Sequence, residues 1–161
     1  MNRQQRIDYL AKLVNHNAHF KKHYEDIEFL KGEQRNQASY PCLATNEPDI
    51  TLSEGGGSYN ASRPTELFIL TQAKSDKKTD ITTAWMEALN LLIDFLGYIH
   101  TYPPLDEKGC PNFLKIRDNR LEAVDGFTSD GLVGYRMAIN DNEYLDTTIK
   151  KERWLTLPVV E

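Results

Sequence analysis

The sequence predicts an α+β fold, a mainly antiparallel sheet packed against two helices, and three observations carry that expectation. The chain opens on apolar residues at helical spacing. A second, far more apolar helical segment spans Asp80 to His100. The stretches between and after them break into short runs of strand length and alternation.

In order, Ile7, Leu10 and Val14, then Phe20, Tyr24 and Ile27, recur with Lys, Asp and Glu between them, which predicts one long amphipathic helix from Arg3 to about Lys31. Gly32 is placed to end it, and EQRNQAS follows as a linker. Tyr40-Pro41-Cys42-Leu43-Ala44 is a first strand with Pro41 near its start. The alternating run Asp49 to Glu54 and the apolar run Glu66 to Gln72 form a hairpin. Between them GGGSYNASRP is expected to be a flexible tip reaching beyond the body.

Thr79 or Asp80 caps the second helix, and Tyr102-Pro103-Pro104 closes it. Its apolar residues cover two faces. Ile81, Trp85, Ala88, Leu92, Phe95 and Ile99 make one stripe, and Leu89, Ile93 and Leu96 make a second beside it. Such a helix needs cover on more than one side, from a sheet and from another helix or a second subunit.

In the last third, Phe113 to Arg117 and Arg120 to Val124 flank Asp118-Asn119 as a two-residue turn, setting Lys115 opposite Glu122 and Ile116 opposite Leu121. Thr128 to Gly131 is a further turn, and Val133, Tyr135, Met137 and Ile139 share one face of a final strand. Residues 1 to 140 therefore form a single domain. Residues 141 to 161 form a tail available to a neighbouring subunit, carrying the apolar Trp154, Leu155 and Leu157.

With 161 residues, 40% of them hydrophobic and 27% charged, the chain is large enough and apolar enough to bury one core without disulfides or metal. The net charge of −5 disfavours specific nucleic-acid binding, while an acidic surface suits letting DNA slide past. The opening residues lack the unbroken apolar core of a secretory signal, and no stretch reaches the length of a membrane span. The protein is thus expected inside a cell or in a particle assembled there. Cys42 and Cys110 belong to no C-x-x-C pair and read as reduced thiols.

Several patterns invite a chemical reading. Pro48-Asp49 followed by Gln72-Ala73-Lys74 has the outline of a PD-(D/E)xK nuclease, with Asp49 and Gln72 on a metal and Lys74 orienting water. Glu25 could complete such a ligand set. Against it, Lys74 opens the polar run KSDKK and an amide stands where an acid is usual, so a plain strand end is the stronger reading. His16, His19 and His23 share a predicted helix but lack the H-E-x-x-H arrangement, and a solvated face explains them better. Gly55-Gly56-Gly57 precedes a strand rather than the helix N-terminus that phosphate binding requires. No catalytic, cofactor or metal residue is therefore assigned. The residues expected to meet a partner are Glu54, Gly55, Gly56, Gly57, Tyr59 and Arg63 in the loop and Trp154, Leu155 and Leu157 in the tail.

The order of elements, with Y-P-C-L-A, D-I-T-L and E-L-F-I-L strands, a tryptophan-bearing helix and LVGYRMAI near the end, resembles small structural proteins of tailed phages and prophages of Bacteroides-type bacteria. More distantly it is similar to tail-terminator and neck proteins. The resemblance runs from about Ile7 to Ile139 and rests on apolar patterns rather than a chemical signature. It implies a non-enzymatic virion subunit in a ring at the head–tail junction, contacting copies of itself and other neck, portal or tail proteins, with genomic DNA passing through unbound. The competing expectations are the metal-dependent nuclease and a small cytoplasmic adaptor.

Overall fold

Asn17 ends the first helix where apolar periodicity alone would carry it on. In the computed structural model, which describes residues 3–27, 30, 38–46, 51–55, 58–105, 109–111, 115–125 and 131–145, helix α1 is Arg3–His16. The Asn17 backbone N–H still reaches Leu13 O and Val14 O at 3.2 Å. Its side-chain Oδ1, however, accepts from the N–H of His19 (2.8 Å) and of Phe20 (3.2 Å), an Asx turn that diverts the chain. The single helix expected to Lys31 is thus replaced by α1 and a short strand, β1 (Lys22–Tyr24). Phe20, Tyr24 and Ile27 are buried as expected, but from extended and turn backbone. Gly32 lies outside the described residues.

Strand β1 pairs parallel with β2 (Cys42–Asn46). Backbone bonds from Lys21 N–H to Pro41 O (2.8 Å) and from Ile27 N–H to Thr45 O (2.9 Å) continue that pairing at both ends. Strands β3 (Thr51–Gly55) and β4 (Ser58–Gln72) form an antiparallel hairpin with Gly55 opposite Ser58. The expected long flexible tip is therefore corrected. Only Gly56 and Gly57 intervene, and Ser58 to Pro64 are strand, because β3 pairs with Ser58–Ser62 on one edge and β6 with Tyr59–Pro64 on the other. Successive stretches of β4 serve different strands on one edge, Ser58–Ser62 pairing with β3 and Glu66–Leu70 with β2.

The other edge of β4 pairs along nearly its whole length with β6 (Leu132–Leu145), which runs five residues past the domain end expected at 140. β5 (Lys115–Asp125) adds outside β6, giving the order β1-β2-β4-β6-β5 with β3 beside β4. Asp118-Asn119 is not a turn. It falls within β5 where the register jumps, since Ile116 faces Ile139 and Leu121 faces Met137. Lys115 accordingly pairs with Asn140 and Glu122 with Arg136, not with each other.

Helix α2 (Lys78–Thr101) is capped at Lys77, two or three residues before the expected Thr79 or Asp80. Asp80 works instead from inside the first turn, accepting from Ser75 Oγ at 2.5 Å. Tyr102 closes the helix with its N–H on Tyr98 O, as the following prolines predict. The helices cover one sheet face. Leu10, Leu13 and Val14 of α1 and Leu91, Leu92, Phe95 and Ile99 of α2 pack on Leu43, Leu67, Ile69, Met137 and Ile139. Alternation sends Cys42, Ala44, Phe68 and Leu70 to the opposite face, where Tyr24, Ile27 and Leu30 cover them. The sheet is thus enclosed on both faces around Cys42–Ala44 and Leu67–Leu70, and the architecture is α+β.

Candidate assembly surfaces

Helix α2 meets the core with only part of its circumference. Ala84, Ala88, Leu91, Leu92, Phe95 and Ile99 are buried. Trp85 stands half-buried, edge-on to Tyr135 with ring centroids 5.5 Å apart. Of the second stripe, Leu89 and Leu96 are half-buried against the core, while Ile93 is 58% exposed and Met86, one heptad earlier, is 54% exposed. The outward side of α2 thus presents apolar side chains with no cover among the described residues.

Beside that stripe lies a groove of about 420 Å³ lined by His19, Thr83, Met86, Glu87, Asn90, Leu91 and Asp94. The Asx turn at Asn17 forms one wall by holding His19 against α2, and Asn17 Nδ2 donates to Asp94 Oδ2 at 3.3 Å. Glu87 and Asp94, seven residues apart, project on the same side of the helix, and among the described residues neither meets a cation. The groove combines an apolar floor from Met86 and Leu91 with an acidic wall.

At the far side of α1 an aromatic cluster joins the two helices. Tyr98 lies 6.1 Å from Tyr9 and 5.3 Å from Tyr102, centroid to centroid, and the Tyr9 hydroxyl donates to Tyr102 O at 2.9 Å. Burial first, and the neighbouring Tyr98 second, push the Tyr9 phenol well above its ordinary range. On the sheet face away from the helices, a polar chain crosses four strands. Asn46 Nδ2 donates to Glu66 at 3.0 Å, Glu66 pairs with Arg136, and Arg136 donates to Glu122 at 2.9 Å. The hydrogen bond to Glu66 is the main cause raising the Arg136 pKa, and burial opposes it. Neither Asn17 nor this chain was singled out by sequence motifs. Their only advance signals are an Asx residue inside an apolar period and opposite charges on alternating strand positions.

The residues expected to meet partners are dispersed. Glu54 and Gly55 end β3, while Tyr59 and Arg63 lie in β4, paired across to Leu145 and Asp141. The expectation of loop residues is corrected at Tyr59 and Arg63, which have strand backbone. Gly56, Gly57, Trp154, Leu155 and Leu157 lie outside the described residues. So does Asp49 of the nuclease pattern. The described residues flanking it, Asn46 and Thr51, pair with Glu66 and Ser62, about 20 and 33 Å along β4 from Gln72. Gln72 and Lys74 are exposed at the other end of that strand, and Glu25 is exposed beyond β1. Among the described residues no group of three or more His, Cys, Asp or Glu is arranged to hold a metal. His16 and His23, expected on one helix, fall on α1 and β1; His19 lies between them in the turn.

No family model matches the chain, and no curated protein does. The geometry of the surfaces therefore carries the functional reading. No helix among the described residues is long and apolar enough to cross a membrane.

Proposed function

We propose that this chain is a non-enzymatic structural subunit that assembles with copies of itself, as a ring at the neck of a tailed phage, joining portal and tail components around the DNA channel. The observation that supports it is the outward side of α2, where Met86 and Ile93 are more than half exposed next to half-buried Leu89 and Leu96. The distant resemblance of the sequence pattern to phage neck and tail-terminator proteins suggests the setting, and the acidic balance of −5 suits a lumen that lets DNA pass.

Magnitudes say what kind of contact this is. Covering the exposed parts of Met86 and Ile93 would stabilise an interface by about 2 to 3 kcal/mol. Association costs at least ~4 kcal/mol in lost rotational and translational freedom. The helix face therefore needs further contact area from its partner. Light scattering coupled to size exclusion tests the reading, alone and with candidate portal or tail-tube proteins. A discrete oligomer that Ile93→Lys dissolves without lowering the melting temperature is expected. A monomer in every mixture refutes it.

A further inference from the structure

We propose that an outward seam of α2 pairs antiparallel with the same seam of a second copy, about a two-fold axis passing between Leu89 and Ile93, so that the building block of the assembly is a dimer. This rests on the proposed self-assembly and names the contact that begins it.

Spacing and charge select the partner. Thr82, Met86, Leu89, Ile93, Leu96 and His100 follow one another at alternating steps of four and three residues, the period of a coiled-coil seam. Thr82, Met86, Ile93 and His100 are exposed, and Leu89 and Leu96 are half-buried. One flank of the seam, Thr83, Asn90 and Gly97, is exposed and uncharged. On the other flank Leu92 and Ile99 are buried in the chain's own core and Trp85 leans on Tyr135. Glu87 and Asp94 lie beyond the first flank, on the groove beside His19. A seam bordered by no charge gives a strongly basic or acidic helix nothing to pair with, and the two carboxylates beyond it repel an anionic membrane surface. A second neutral seam of the same period fits it.

The order of side chains along the seam sets the direction. Run antiparallel, Leu89 meets the second copy's Ile93, Met86 meets its Leu96 and Thr82 meets its His100, so apolar side chains face one another and each imidazole faces a hydroxyl. Run parallel, the two His100 rings would oppose each other and the helix macrodipoles would align unfavourably.

The contact continues past the helix. On β5, Leu121 is 43% exposed and Ala123 is exposed, and they stand opposite Met137 and Tyr135, whose side chains face the helices. Trp85 lies against Tyr135 with ring centroids 5.5 Å apart, so the apolar surface runs from the seam across β6 to β5. A helix laid along the seam covers this floor as well, adding area that Met86 and Ile93 alone do not provide. Because both copies use the same patch, the contact closes at two, and a larger ring then forms from dimers through a different surface.

Cross-linking between copies tests this. In a Cys110→Ser background, full-length chain carrying both Thr82→Cys and His100→Cys is treated with a short bis-maleimide, Cys42 being buried. The two positions stand about 27 Å apart along one helix, so they meet only between antiparallel copies. A covalent pair of twice the chain mass is expected, at a yield at least tenfold above that of either single variant. Adding Ile93→Glu should cut that yield at least tenfold without changing the circular dichroism spectrum. Equal cross-linking by a single variant, or a yield that Ile93→Glu leaves intact, overturns the antiparallel seam. Light scattering on the unsubstituted chain separates the two proposals. An oligomer whose double variant does not cross-link overturns this inference and leaves self-assembly standing, and a monomer at every concentration overturns both.

Discussion

Placing a methyl group at Gly134 should destabilise this protein more than almost any other single-atom change to a glycine. Gly134 sits in β6 opposite Leu70, and a Cβ built on it would lie 1.9 Å from Ile69 O, 2.9 Å from Ile69 C and 3.1 Å from Leu70 Cα. All three are backbone atoms of the central strand, so no side-chain rotation relieves the overlap. The strands must part by more than an ångström at the ladder that joins the two halves of the sheet. Overpacking of a core usually costs about 1 to 3 kcal/mol, and a backbone obstacle puts Gly134→Ala at the top of that range. At about 3 kcal/mol, a chain of this size should lose roughly 6 to 12 °C in melting temperature. Gly97→Ala is the matched control, because a Cβ there meets nothing within 4 Å and α2 is regular on both sides. It should raise stability by about 1 kcal/mol through helix propensity. Circular dichroism melts of both variants decide the matter. If Gly134→Ala melts within a degree of the parent, the close approach of β6 to β4 is not as described.

Other predictions follow from the hydrogen bonds and titrating groups. Asn17→Ala removes an acceptor for two N–H groups and a donor to Asp94, and should cost about 1 kcal/mol in chemical denaturation; an unchanged midpoint would refute its role as the stop of α1. Arg136→Met leaves Glu66, only 17% exposed, facing Glu122 without its cation, and a loss of about 1 kcal/mol is expected after discounting for solvent, smaller in Glu66→Gln/Arg136→Met than the sum of the single changes. His23 is held below its ordinary pKa mainly by burial, with Glu25 opposing, and its buried Nε2 meets no hydrogen-bond partner among the described residues. The unfolded chain therefore binds the proton more readily, so this contribution to stability is present above the unfolded pKa of 6.5 and is lost as pH falls through the lowered folded value. The slope cannot exceed about 1.4 kcal/mol per pH unit for one proton, and His23→Gln should flatten the decline between pH 7 and 5. Burial likewise pushes the Cys42 thiol up, whereas Cys110 is exposed, so a thiol-reactive dye should label one cysteine in the native protein and two after unfolding.

Much of the fold was legible in the sequence. The apolar period from Asp80 to His100, the closing prolines, the strand runs around Leu43 and Ile69 and the shared face of Met137 and Ile139 all hold. These depend on residues close together in the chain, where helical and strand periods leave a direct mark. The misreadings have a common origin. Residues 20 to 27 keep a helical spacing but answer to β2, and residues 58 to 64 look like a loop but are held by β3 along 58–62 on one edge and by β6 along 59–64 on the other. Asp118-Asn119 has turn chemistry, yet β6 offers a ladder that draws it into β5.

By itself the sequence determined that an amphipathic and an apolar helix would cover a largely antiparallel sheet, and that α2 would carry more apolar surface than one face can bury. The tertiary structure alone decided that α1 stops at Asn17, that β4 spans 15 residues with a different partner on each stretch of one edge, and that Glu87 and Asp94 line a groove beside Met86. Side-chain periodicity is written along the chain. Strand pairing and the shape left between elements depend on which distant residues arrive to satisfy a backbone N–H or C=O, and no local pattern records that arrival.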